Sequence, residues 1–162
     1  MKTILKAVLA ASAIAAVPFA TASAAEIAVI VKTTNSNFWQ NVNKGASAAI
    51  DGQSDITMTF DGPASESDIA AEVNMVDNAV NKGVAGIVLA PSDPDALVPA
   101  VKRANEAGIP VAIIDSALSD AGKGTYQTFL STDNCAAGKL AADRMIELTG
   151  GEGKVAVMSY VA

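Results

Sequence analysis

Histidine is absent from all 162 residues, which removes His-based triads and His-containing metal sites from what this chain can build. Cysteine occurs once, at Cys135, so no internal disulfide can form, and its helix of small residues predicts a buried, inert thiol. Basic residues are few and scattered: 11 Lys and Arg stand against 17 Asp and Glu, for a net charge of −6. Phosphate contacts need grouped cations, so nucleic acid is excluded as a partner. No G-x-G-x-x-G follows the first apolar run, which argues against a dinucleotide cofactor. Gly150-Gly151-Glu152-Gly153-Lys154 lacks the Ser or Thr that a phosphate loop places after its lysine, and it reads as a turn. EF-hand spacing is missing too. Neither a cofactor nor a metal is expected.

The N-terminus reads as an export signal. Lys2 and Lys6 precede an apolar stretch over residues 7–20, broken at Pro18, and Ala22-Ser23-Ala24 supplies the small residues of a cleavage site. The stretch is Ala-rich and shorter than the roughly 20 residues of a membrane span, so cleavage after Ala24 or Ala25 is expected. With no cysteine nearby to carry a lipid, the expected product is a soluble periplasmic protein. Losing Lys2 and Lys6 lowers the basic count from 11 to 9 against 17 acidic residues, a net charge of −8.

The remainder alternates strand and helix. Residues 27–31 form a continuous β-branched run, predicting a strand buried on both faces. Residues 38–51 place Phe38, Val42, Ala46, Ala49 and Ile50 on one helical face. Residues 56–60 alternate, as an edge strand does. Residues 68–82 turn Ile69, Val73, Val76 and Val80 inward and stop at Gly83. Residues 84–90 and 109–114 read as a third and fourth strand, joined by a helix from Pro94 to Ala107 with Asp93 as its cap. A fifth strand over 125–131, a helix over 135–149 and a sixth strand over 154–160 complete the pattern. Strand spacing of one crossover unit predicts an α/β fold with a doubly wound parallel sheet. A buried-type last strand with no helix behind it leads to the expectation that the chain is a fragment.

Open parallel sheets bind ligands at the carboxyl ends of their strands. There the sequence places Thr33, Asn35, Ser36, Asn37, Phe38 and Trp39 after strand one, Ser92 and Asp93 after strand three, Asp115 and Ser116 after strand four, and Thr132, Asp133 and Asn134 after strand five. Carboxylates and amides that bond vicinal hydroxyls, beside an aromatic face that packs on ring C–H groups, suit a sugar. Simple capping competes at Ser36, Asn37, Asp93, Asp133 and Asn134. Asp115, ending an apolar strand, has no evident backbone task. Asp93 and Asp115 are a carboxylate pair, yet nothing in the sequence activates either for acid–base work.

These motifs, namely residues 27–31, Asn35-Ser36-Asn37-Phe38-Trp39, the run from Gly86 to Asp93, the run from Gly108 to Asp115, and Ser131-Thr132-Asp133-Asn134 with Ala137-Gly138, resemble the periplasmic sugar-binding proteins of ABC importers, of the ribose- and allose-binding type. The resemblance implies two similar lobes around a hinge. Residues 1–24 would be the signal peptide, 25–131 the first lobe, and 132–162 the hinge crossing with the incomplete start of a second lobe. It implies a monosaccharide ligand, a membrane permease and an optional chemoreceptor as partners, and no enzymatic activity. Ser36, Phe38 and Trp39 would line the sugar, Asp115 would bond ring hydroxyls, and Thr132 or Asp133 would lie beside it at the hinge. Ser116 stands where ribose-type members carry arginine and Asn37 where they carry proline, so the allose pattern is the nearer one. A polyol or signalling furanose is the alternative ligand, and an exported carbohydrate-acting enzyme the alternative class.

Overall fold

The β-branched run after the expected signal forms β1 (Ala25–Ile30), and in the computed structural model, which describes residues 24–158, the sheet is laid around it. β2 (Ile56–Asp61) pairs with one edge in register from Ala25 with Ile56 to Ile30 with Asp61, and β3 (Gly86–Leu89) pairs with the other. β4 (Val111–Ile114) and β5 (Thr128–Leu130) continue outward, giving the order β2-β1-β3-β4-β5 with every pairing parallel. The expected export signal lies outside the described residues.

Alternation along the strands sends side chains to two cores. Ala28 and Ile30 join Leu89, Ile113, Val76 of α2 (Ile69–Lys82) and Val101 of α3 (Val98–Glu106). Val29 and Val31 face the other way, against Trp39 and Val42 of α1 (Asn37–Ile50). One helix thus covers one face while two cover the other, which is the double winding expected from the sequence. The reversal falls between β1 and β3, where their outgoing loops part. Caps fix the helix ends that feed this edge. The Trp39 N–H donates to the Ser36 hydroxyl at 3.3 Å and the Ala71 N–H to the Asp68 carboxylate at 3.1 Å, satisfying N-terminal amides that lack helical partners.

Several expectations are corrected. On α1 it is Trp39, 2% exposed, that turns inward, while Phe38 is 56% exposed; one residue is about 100° of helix, so the two rings cannot share a face. They meet edge to face at 4.8 Å. α3 starts at Val98 rather than Pro94, because Asp93 closes a separate turn first, accepting from the N–H groups of Asp95 and Ala96 at 2.9 and 2.7 Å. β5 is only three residues long and wholly exposed. Residues 154–158 form no strand and lie exposed, unpaired with the five-stranded sheet; residues 159–162 lie outside the described residues. Cys135 is exposed, not buried, because α4 (Asn134–Thr149) buries none of its residues.

Candidate functional site

Lys32 follows β1 and Asp115 follows β4, and at the carboxyl edge of the sheet they meet. The Lys32 ammonium lies 2.7 Å from Asp115 Oδ2 and donates to the Ser116 hydroxyl at 2.6 Å, while that hydroxyl donates to the same carboxylate oxygen at 3.1 Å. Each of the three polar groups thereby has a fixed position. Among the described residues Asp115 Oδ1 has no hydrogen-bond donor, which leaves acceptor capacity on the rim.

The backbone at Asp115 is held in an unusual state. Its φ is +65°, the only positive value at a non-glycine residue among the described ones, and the Ser116 N–H donates to the Ile114 carbonyl at 2.7 Å across it. A three-residue turn of this kind costs about 1–3 kcal/mol and persists only where its surroundings enforce it. Here they do so from β5: the Asp115 N–H donates to the Leu130 carbonyl at 2.9 Å, and the Ser131 hydroxyl donates to the Asp115 carbonyl at 2.8 Å.

Two hollows adjoin this cluster. One, of about 410 Å³, is lined by Lys32, Ser36, Phe38, Trp39, Glu66 and Asp115. A second, of about 370 Å³, shares Phe38, Trp39 and Asp115 with it and reaches Leu130, Ser131 and Thr132. Phe38 presents its ring to solvent at this rim, and the buried Trp39 contributes an edge whose indole N–H donates to Glu66 Oε1 at 3.4 Å. A third hollow, about 460 Å³, continues past Ser36 and Glu66 to Thr33, Asn35 and Ser65.

The residues singled out from the sequence divide accordingly. Phe38, Trp39, Asp115, Ser116 and Thr132 gather at one place, with Ser36 lining it while capping α1. Asn35 stands in the adjoining polar hollow, its amide donating to the Ala64 carbonyl at 3.2 Å. Asp133 is not brought in; it caps α4, accepting from the Ala136 N–H at 2.8 Å. Ser92 faces inward to α2, its N–H donating to Glu72 Oε2 at 3.0 Å. The sequence reading missed Lys32 and Glu66 as lining residues, and it missed Glu72 altogether. Glu72 is fully buried with Oε1 unbonded, and burial pushes its carboxyl up from the ordinary value of 4.5, partly opposed by the Ser92 N–H and by Lys32. Asp93 moves the other way, held low by the Ala96 and Asp95 N–H groups. Among the described residues no group of three or more Cys, Asp or Glu is placed to hold a metal ion.

Comparison with known proteins shows the family. A family described as periplasmic binding protein domain matches residues 27–162. The ribose import binding protein of Escherichia coli is 31% identical over 136 residues, covering 84% of this chain and 44% of that protein. The D-allose-binding periplasmic protein of the same organism is 33% identical, covering 81% and 43%. A crystal structure of an ABC transporter solute-binding protein from Agrobacterium vitis with bound D-fucose is 69% identical with a TM-score of 0.82, over 85% of this chain and 47% of that one. The chain thus spans less than half the length of each of these relatives. With a family match running from β1 to the last residue, this chain belongs to the periplasmic binding proteins.

Proposed function

We propose that the protein containing this chain captures a monosaccharide in the periplasm and delivers it to the permease of an ABC importer, without chemical turnover. The observation that carries this reading is the shared hollow, where the fixed polar triangle of Lys32, Asp115 and Ser116 and the exposed Phe38 ring come together. A pyranose has hydroxyls around its edge and C–H groups on its face, so polar groups beside an aromatic plate suit both. Asp115 Oδ1 accepts from a ring hydroxyl, and Lys32 donates to that hydroxyl or to its neighbour. Ser131 and Thr132 supply further polar contacts where the chain leaves β5. A second lobe, supplied by the length that the relatives have beyond this chain, closes over the sugar, excludes water and strengthens each of these bonds. The sugars bound by the relatives support the ligand class.

The test is calorimetric titration of the full-length protein with D-fucose, D-allose, D-ribose and xylitol, with the solution analysed for products. Saturable binding of a sugar without new products is expected. Asp115→Ala should weaken that binding at least about 100-fold, the size of losing a charge-assisted hydrogen bond and leaving Lys32 unpaired, while the variant keeps its fold. Unchanged affinity in the variant, or turnover of any sugar, overturns the reading.

A further inference from the structure

The hollow holds one cation and two carboxylates, and only one of those carboxylates has a cationic partner. Lys32 is neutralised by Asp115 at 2.7 Å. Glu66, half-buried in the lining of the same hollow, has no Lys or Arg within salt-bridge distance among the described residues. It is nonetheless held in place. The Trp39 indole N–H bonds its Oε1, and the loop that carries it is tied down on both flanks. Asn35 donates to the Ala64 carbonyl at 3.2 Å, and the Asp68 N–H donates to the Ser65 carbonyl at 3.0 Å, closing a turn around Glu66. Glu66 also lines the adjoining polar hollow, so its negative field covers both compartments.

We infer that Glu66 is a specificity-determining residue, which admits neutral sugars and rejects sugar acids. This inference rests on the sugar-binding reading of the site. A carboxylate on a ligand inside the hollow meets the Glu66 charge with no unpaired cation among the described lining residues to offset it, in a crevice that on the sugar-binding reading closes against water. A methyl or hydroxymethyl group at the same position meets no such repulsion, and a hydroxyl there gains an acceptor. Selection works by building an unfavourable contact against the wrong ligand, beside the favourable contacts made to the right one.

D-Fucose, D-galactose and D-galacturonate share ring stereochemistry and differ at C6, which is methyl, hydroxymethyl or carboxylate. With the full-length protein, calorimetric titration is expected to give a D-galacturonate affinity at least about 100-fold below the better neutral sugar. Glu66→Gln keeps an oxygen acceptor for the Trp39 indole and removes only the charge. It should shrink that gap by about tenfold, read as the ratio of D-galacturonate to neutral-sugar affinity within the same variant. Raising the salt should shrink the wild-type gap and leave the variant's unchanged. A Glu66→Gln protein with the wild-type acid-to-neutral ratio overturns the inference, as does a wild type that binds D-galacturonate as well as D-galactose. If neither neutral sugar binds and the wider sugar panel also fails, the reading of the site itself falls, a different result from an unchanged ratio.

Discussion

At the residue scale, Glu72 is the side chain whose energetics can be read most directly. It sits in the first turn of α2, fully buried, with one carboxylate oxygen bonded to the Ser92 N–H and the other unbonded. Burial raises its proton affinity in the folded chain relative to the unfolded one. Between the ordinary value of 4.5 and the raised folded value, the folded state therefore holds more protons, so stability must fall as pH rises through that window. The stabilisation tied to the protonated acid is complete below the unfolded value and is lost above the folded one. Glu72→Gln keeps an acceptor for Ser92 and cannot ionise. Its melting temperature, followed by calorimetry over a pH series, should decline less than the wild type's on leaving acid pH, and the two curves should separate toward neutrality. Parallel curves would show that Glu72 ionises without penalty. None of this was legible from the sequence. Glu72 lies in the same apolar period as Ile69, Val73, Val76 and Val80, and a charged residue in such a stripe gives no sign of whether it bends out to water or stays in. Asp115 was legible, because a carboxylate closing an apolar strand breaks the pattern. Lys32 closes β1 in the same manner, and the reasoning used for Asp115 would have found it.

At the scale of elements, the parallel sense of the sheet followed from strand–helix alternation and crossover spacing, and the edge position of β2 from its period, since a strand open on one side alternates and a strand covered on both does not. Lengths and starts followed less well. α3 begins late because Asp93 uses its carboxylate on a local turn, and β5 keeps only the three residues that pair with β4. The loop between β2 and α2 has neither period nor propensity, which is why Glu66 escaped notice, yet its path is rigidly dictated. At Gly62 an added Cβ would lie 2.5 Å from the Val31 carbonyl oxygen and 3.2 Å from Thr33 Cα, both backbone atoms that β1 holds in place. Gly62→Ala must therefore push the loop outward, at about 1–3 kcal/mol, the usual size for forcing a methyl group into a packed site. Displacement of Glu66 breaks its bond to the indole. Because Trp39 is the chain's single tryptophan, its emission reports the event: a changed spectrum together with a lowered denaturation midpoint is expected. A midpoint equal to wild type would mean that the turn is free to yield.

At the scale of the whole molecule, packing is uneven. Residues from Ile27 to Tyr126 supply two cores, whereas α4 buries nothing, and Leu140, Ile146, Leu148, Val157 and Met158 stand 57–94% exposed. Apolar side chains exposed in this number drive association unless something covers them. The hollow beside Phe38 is likewise open toward solvent. On the proposed reading, a second lobe supplies the facing half of the contacts. If the halves contribute equally, a complex of about 1 μM falls to about 1 mM when one is absent, and the cost of immobilising the sugar is still paid in full. Produced alone, the chain from Ala25 to Ala162 should therefore bind the cognate sugar only in the millimolar range or more weakly. It should also elute above monomer mass in size-exclusion chromatography with light scattering and enhance the fluorescence of an apolar dye. Ending it after Ser131 removes most of the exposed apolar side chains and should restore the monomer without improving binding. Micromolar affinity from the isolated chain would place every essential contact in this lobe and leave lobe closure with no role in capture.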